Sequence, residues 1–174
     1  MWFLPNNYEA PETGNEFYKL KKGKNKFRVV SECLVGYEHW SEEEVNWEIK
    51  KKPNRTEKPT GEENEKHFWA FCIYDYEEER IKILVVTQKS IQENIANILQ
   101  IEWKEDITKY DLYVNRTGDW LETKYTVSNW DTEQELSDEI KEATNLAWKV
   151  DLDILYKWGY PIAESIKSDE VEEF

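Results

Sequence analysis

The residues with the most chemical character in this chain are rings and cations at alternate positions of extended segments. In residues 66–76, KHFWAFCIYDY, aromatic and branched side chains dominate both faces, the pattern of a strand. With Trp69, Phe71 and Ile73 directed inward, the opposite face carries Lys66, Phe68, Tyr74 and Tyr76. Tyrosine hydroxyls favour water or a partner, which prefers this assignment to its mirror image. Neighbouring segments add Lys24, Lys26, Arg28, Lys82, Tyr113 and Lys124 to the same face. Two loops would flank it, one bearing Tyr37, Trp40, Trp47, Lys50, Lys52 and Arg55, the other Arg116 and Trp120. Flat rings stack on unpaired bases, at about 1–3 kcal/mol per base, and cations meet phosphates with an affinity that salt weakens. The chemistry implied is non-covalent binding of an unpaired nucleic-acid strand without regard to base sequence. The plainer alternative is that these rings pack beneath the polar 41–66 segment. A register slip of one residue would exchange the two faces.

Covalent chemistry finds little support. The chain has no Walker loop, no H-E-x-x-H, no G-x-S-x-G and only 6 glycines, so no enzyme is expected. Cys33, His39, His67 and Cys72 could in principle supply four metal ligands, but no C-x-x-C pair is present. His67 and Cys72 would also fall on opposite faces of one strand, so no metal and no other cofactor is expected.

The elements that must hold the ring-and-cation face follow from periodicity. Residues 24–35 alternate, with Phe27, Val29, Cys33 and Val35 on one side and Lys24, Lys26 and Arg28 on the other; Gly36 would allow a bend. Residues 41–66 read as a long loop or mobile hairpin around Trp47. Residues 77–80 make a charged turn into a strand at 81–87. Ile91, Ile95, Ile98 and Leu99 form one helical stripe, with Ser90 and Glu93 as a capping box. Strands at 110–115 and 121–127 complete the series. Five strands with a helix between the third and fourth are the order of the OB-fold, a mainly β Greek-key barrel, here expected over residues 16–130. A generic α+β domain with an antiparallel sheet is the other reading of the same order.

Residues 1–15 look like an irregular N-terminal arm, and residues 131–174 like an acidic C-terminal helix and tail. Of 37 acids against 23 bases in the 174 residues (net charge −14), 13 acids and 4 bases lie in 131–174. Leu136, Ile140, Ala143 and Ala147 keep helical spacing there, followed by an apolar cluster of Val150, Leu152, Ile154, Leu155 and Trp158. Two basic segments, 16–28 and 48–58, stand out against the overall acidity. A covalently attached polyanion could occupy a basic groove in the absence of nucleic acid. Phe174 beside a terminal carboxylate is a form that a partner's pocket can capture. Two cysteines make no disulfide framework, no apolar run reaches a membrane span, and the first residues do not read as a signal peptide. A soluble cytosolic protein is expected, so the sequons at Asn54 and Asn115 carry no weight.

Three stretches together resemble the single-stranded DNA-binding proteins of bacteriophages: FYKL (17–20) through RVVS (28–31) with VGYEHW (35–40); KHFWAF (66–71) through TQKSI (87–91); and YDL (110–112) through NRTG (115–118) with LETKYT (121–126). The ending Asp169, Glu170, Val171, Glu172, Glu173 and Phe174 is similar to the acidic tip of single-stranded DNA-binding proteins generally. The resemblance implies an OB-fold that coats single-stranded DNA in phage replication, recombination or repair. It also implies a tip that inhibits its own groove and recruits replication or recombination enzymes. The setting would be the cytoplasm of an infected bacterial host, and a homodimer is compatible with it. A reading from another class is an acidic protein that mimics DNA and occupies a host DNA-binding factor, although a mimic would have no use for the two basic segments.

Overall fold

The computed structural model describes residues 16–101, 106–129, 137–157 and 159–165. The chain builds β1 (Gly23–Val29), β2 (Leu34–Val45), β3 (Glu48–Thr56), β4 (Lys66–Asp75), β5 (Arg80–Val86), helix α1 (Lys89–Ile101), β6 (Asp111–Thr117), β7 (Lys124–Asn129) and helix α2 (Asp138–Ala147). Short 3-10 turns occupy Trp120–Glu122 and Leu152–Lys157, and a helical turn covers 161–165. The seven strands make one open antiparallel sheet of order β3-β2-β4-β1-β6-β7, with β5 on the other edge of β4. The fold is therefore mainly β with a few helices.

The first strand expected from alternation is two strands on one line. β2 pairs with the first half of β4, Leu34 opposite Ala70, and β1 pairs with its second half, Val29 opposite Ile73. The break at 30–33 stays attached to β4, because Val30 N–H donates to Cys72 O at 3.0 Å and the Ser31 hydroxyl accepts from Cys72 N–H at 2.8 Å. The strand thus breaks before Gly36, not at it. Gly36 serves a close approach instead: a Cβ there would lie 2.8 Å from the Phe68 ring.

The segment 41–56 is an ordered hairpin rather than a loop. Asn46 and Trp47 both have positive φ, 52° and 68°, as a two-residue type I′ connection requires. Cross-strand charge holds its length: Glu42 faces Lys51, Glu43 faces Lys50, and Glu43 also reaches Lys52 at 3.6 Å. β3 forms the margin of the sheet and contains Pro53, tolerated in an edge strand. Helix α1 begins at Lys89, so Ser90 is not its cap; Lys89 pairs with Glu93 at 3.7 Å. The strand expected at 121–127 starts later, at Lys124, because residues 120–122 form a 3-10 turn that leaves Leu121 fully exposed.

Two cores lie on opposite faces of the sheet. The inner one gathers Phe27, Val29, Phe71, Ile73, Leu84, Val86, Leu112 and Val114 against Ile91 and Ile95 of α1, with Trp69 packed at its border. The inward assignment of Trp69, Phe71 and Ile73 holds. The outer core sets Phe68, Ala70, Cys72, Tyr74, Ile81 and Ile83 against Ile140, Ala147, Leu155 and Ile162. The acidic C-terminal region is thus a folded layer on the sheet, with Ser137 capping α2 through the Ile140 N–H. Buried Glu16 secures its end: the carboxylate accepts from Ile162 and Ala163 N–H at 3.3 and 3.2 Å. Burial pushes the pKa of Glu16 up, against the pull of those two hydrogen bonds.

Candidate nucleic-acid interface

The outer face of the sheet divides at the seam between β4 and β1. Register places Phe68, Ala70, Cys72 and Tyr74 of β4 beside Val85, Ile83 and Ile81 of β5, and the C-terminal layer covers this apolar half. Across the seam, Lys24 lies opposite Asn115 and Lys26 opposite Tyr113; Thr126 and Ser128 of β7 continue these rows, and Lys124 lies opposite Thr117. Lys24, Lys26, Asn115, Thr117, Lys124, Thr126 and Ser128 are exposed and Tyr113 half-buried. Its side chains are mostly polar, so beyond the Tyr113 and Tyr76 rings it offers the C-terminal layer little apolar surface to bury.

Cations and rings meet on the open half. Lys24 Nζ stands 4.1 Å from the Tyr113 ring centroid, and Lys26 Nζ stands 4.2 Å from that of Tyr76. Beneath Lys26, Arg28 Nε donates to Asp111 Oδ1 at 3.1 Å, and the Tyr76 hydroxyl donates to the same oxygen. Lys26 Nζ lies 3.9 Å from Asp111 Oδ2. Burial first, then the hydrogen bond to Asp111 and its negative charge, push the Tyr76 phenol strongly upward, so it remains a donor. Asp111 thereby fixes the floor on which Lys26 and Tyr76 sit.

Several expected ligand-facing residues belong elsewhere. Phe68 and Tyr74 do lie on the outer face but are buried in the outer core rather than open. Arg28 is 1% exposed and committed to Asp111. Lys82 is opposite Ile73, hence on the inner side, where it pairs with Asp75 at 3.2 Å and Glu78 at 2.8 Å. Arg116 also has inner parity, and one of its terminal nitrogens donates to Leu20 O at 3.0 Å. Arg55 is held by Glu38 at 2.8 Å. Tyr76, half-buried at the seam, does keep its place in the site, under Lys26.

The loop residues divide by position. Trp47 at the hairpin apex and Trp120 beside the β6–β7 connection are each 94% exposed. Both adopt the left-handed backbone region, φ 68° and 55°, which is unfavourable for a bulky residue. The β6–β7 connection borders the start of β1, where Lys22 meets Asp119 at 3.1 Å. On the hairpin, Trp40 and Arg55 share one face while Tyr37, Lys50 and Lys52 share the other, so the structure does not gather these five. Tyr37 packs on His67, with ring centroids 5.2 Å apart. Lys66, at the start of β4, is exposed opposite Glu38. The tip residues Asp169, Glu170, Glu172, Glu173 and Phe174 lie outside the described residues, as do Leu136 and Trp158.

Sequence reasoning missed the polar row of Asn115, Thr117, Thr126 and Ser128, although its alternation with Val114, Tyr125 and Val127 marks it. It also missed Asp111, a lone carboxylate whose importance comes from an arginine 83 residues away. Among the described residues no three His, Cys, Asp or Glu side chains gather as metal ligands, and no helix is long and apolar enough to cross a membrane. No family model, curated protein or solved structure matches the chain.

Proposed function

We infer that this protein binds single-stranded DNA without base-sequence preference, as a coating protein in phage replication, recombination or repair. The observation that carries the reading is the open half of the sheet. There Lys24 and Lys26 lie over the rings of Tyr113 and Tyr76, with Lys124 and a row of hydroxyl and amide groups beside them. Such a surface offers cations to phosphates and stacking or hydrogen-bonding groups to bases. Trp47 and Trp120 support it: a bulky, exposed residue kept in a left-handed conformation in a loop indicates a use outside the fold.

The OB-fold is part of the same proposal. The path β5-β4-β1-β6-β7, with α1 between β5 and β6, follows the strand order 3-2-1-4-5 of that barrel. The β2–β3 hairpin would then be an insertion between the first two barrel strands. The binding face would also be displaced: the outer side of β4 and β5, where an OB-fold binds its ligand, is occupied by the C-terminal layer.

Titration with oligo-dT at low and high salt tests the reading. Tryptophan fluorescence should fall on binding, and the affinity should drop steeply as salt rises. No complex at any salt would overturn it and favour the acidic mimic, for which the net charge of −14 is the main support. Recruitment of replication or recombination enzymes by the acidic tip, self-inhibition by it and residence in the cytoplasm of an infected host complete the proposal. Deletion of residues 168–174 should leave DNA binding unchanged or tighter; weaker binding would contradict self-inhibition.

A further inference from the structure

A cleft of about 580 Å³ opens where three segments meet: the strand break at 30–33, the 3-10 turn Ile107–Lys109 with its cap Asp106, and the end of α2 with the following 3-10 turn. Its walls are mostly apolar, from Val29, Val30, Leu34, Ala147, Val150 and Leu152, with the hydroxyls of Ser31, Thr108 and Thr144 among them. Its rim is anionic, with Glu32, Asp106, Asp151 and Asp153 all exposed. Trp148 stands at the edge, 77% exposed. The cation in the lining, Arg28, is already committed to Asp111. The carboxylates of Asp106 and Asp151 accept local N–H groups, at 3.0 Å from Thr108 and 3.1 Å from Asp153, which orients them without neutralising them.

We propose that this cleft docks a lysine- or arginine-rich segment of a partner protein, with one apolar side chain of that segment entering between Val30 and Leu152. Charge complementarity commits the site to a basic occupant: four acids around an apolar floor repel nucleic acid and reward cations that bring their own hydrophobic anchor. Trp148 offers its ring face to a lysine or arginine at the rim. The cleft uses only folded residues, so docking does not depend on the acidic tip or on single-stranded DNA binding.

The test is titration of the isotopically labelled full chain with the blocked peptide Lys-Lys-Leu-Lys-Lys, followed by amide shifts. Saturable shifts confined to residues 28–34, 106–108 and 144–153 are expected. Replacing the peptide's leucine by glycine should weaken binding. The triple variant Glu32→Gln, Asp151→Asn, Asp153→Asn should weaken it about tenfold, since each rim charge contributes modestly. These changes keep the turn-capping acceptors, so the amide spectrum should otherwise be unchanged. Asp138→Asn, Glu139→Gln, Glu142→Gln, which removes the same charge elsewhere, should leave the affinity within a factor of two or so. Equal loss in both triples, shifts scattered over the surface, or no shifts would overturn the proposal. Self-association that the cleft triple abolishes would overturn it in favour of a second copy of this chain as occupant.

Discussion

Arg28 and Asp111 form an ion pair closed off from solvent, Nε to Oδ1 at 3.1 Å, directly beneath Lys26 and Tyr76 of the open sheet face. A charge so placed is tolerable only with its partner. Asp111→Ala should cost about 3–5 kcal/mol of unfolding free energy, read from urea denaturation, because it strands a buried guanidinium. Arg28→Met with Asp111→Leu should recover most of that loss. Equal destabilisation in the double variant would mean the pair contributes more than mutual compensation.

Trp47 separates stability from binding. Trp47→Gly makes the turn Asn-Gly, the pair that a type I′ connection prefers. The melting temperature should stay level or rise by a few degrees, while oligo-dT affinity should fall by about 1–3 kcal/mol if the indole stacks on a base. A drop in stability with unchanged affinity would place Trp47 in the fold alone.

The two halves of the outer face should respond differently to substitution. Lys24→Ala and Lys124→Ala should leave the protein folded and lower the slope of log affinity against log salt by about 0.7 for each phosphate no longer neutralised. Phe68→Ala, beneath the C-terminal layer, should instead destabilise by about 3–5 kcal/mol. Circular dichroism melts and salt titrations on the same three variants separate these outcomes.

Stability should fall in alkali. Burial, then the charges of Asp75 and Glu77, raise Tyr18 to about 12. Burial raises the Cys72 thiol to about 11, and Tyr76 is also raised, by burial and Asp111. Each folded pKa lies above its unfolded value, so their contribution is complete below about pH 9 and lost as pH climbs through the folded values. Urea midpoints should be flat with respect to these groups near neutrality and decline above about pH 9. Tyrosine absorbance at alkaline pH should show a fraction that ionises only with unfolding. Full ionisation at ordinary tyrosine values without loss of structure would contradict the buried placement.

What could be read in advance depended on whether a residue's signal was local. Phe71 and Ile73 gave their side of β4 away, because alternation with the tyrosines fixed the phase. The apolar even positions of β4 said that something covers them but not what; the covering Ile140 and Leu155 lie some 70–80 residues downstream. Loop and hairpin stayed equal readings of 41–66, because Glu42–Glu44 and Lys50–Lys52 look like solvated runs until they are paired across strands. Lys82 was placed on the wrong face by its charge: polarity alone does not show that Asp75 awaits it on the inner side. Thus most of the strands were legible and the layer above them was not: that layer buries Phe68 and Tyr74, while Arg28, Arg55, Lys82 and Arg116 are engaged by other partners.

The margin strand β3 has one more effect. Its sequence runs Lys50, Lys51, Lys52, Pro53 along the free side of the hairpin. A strand from a neighbouring molecule laid against it would meet three consecutive ammonium groups and a position with no N–H to give. Edge-to-edge pairing between copies is thereby disfavoured, so the long hairpin can stay extended without seeding fibres.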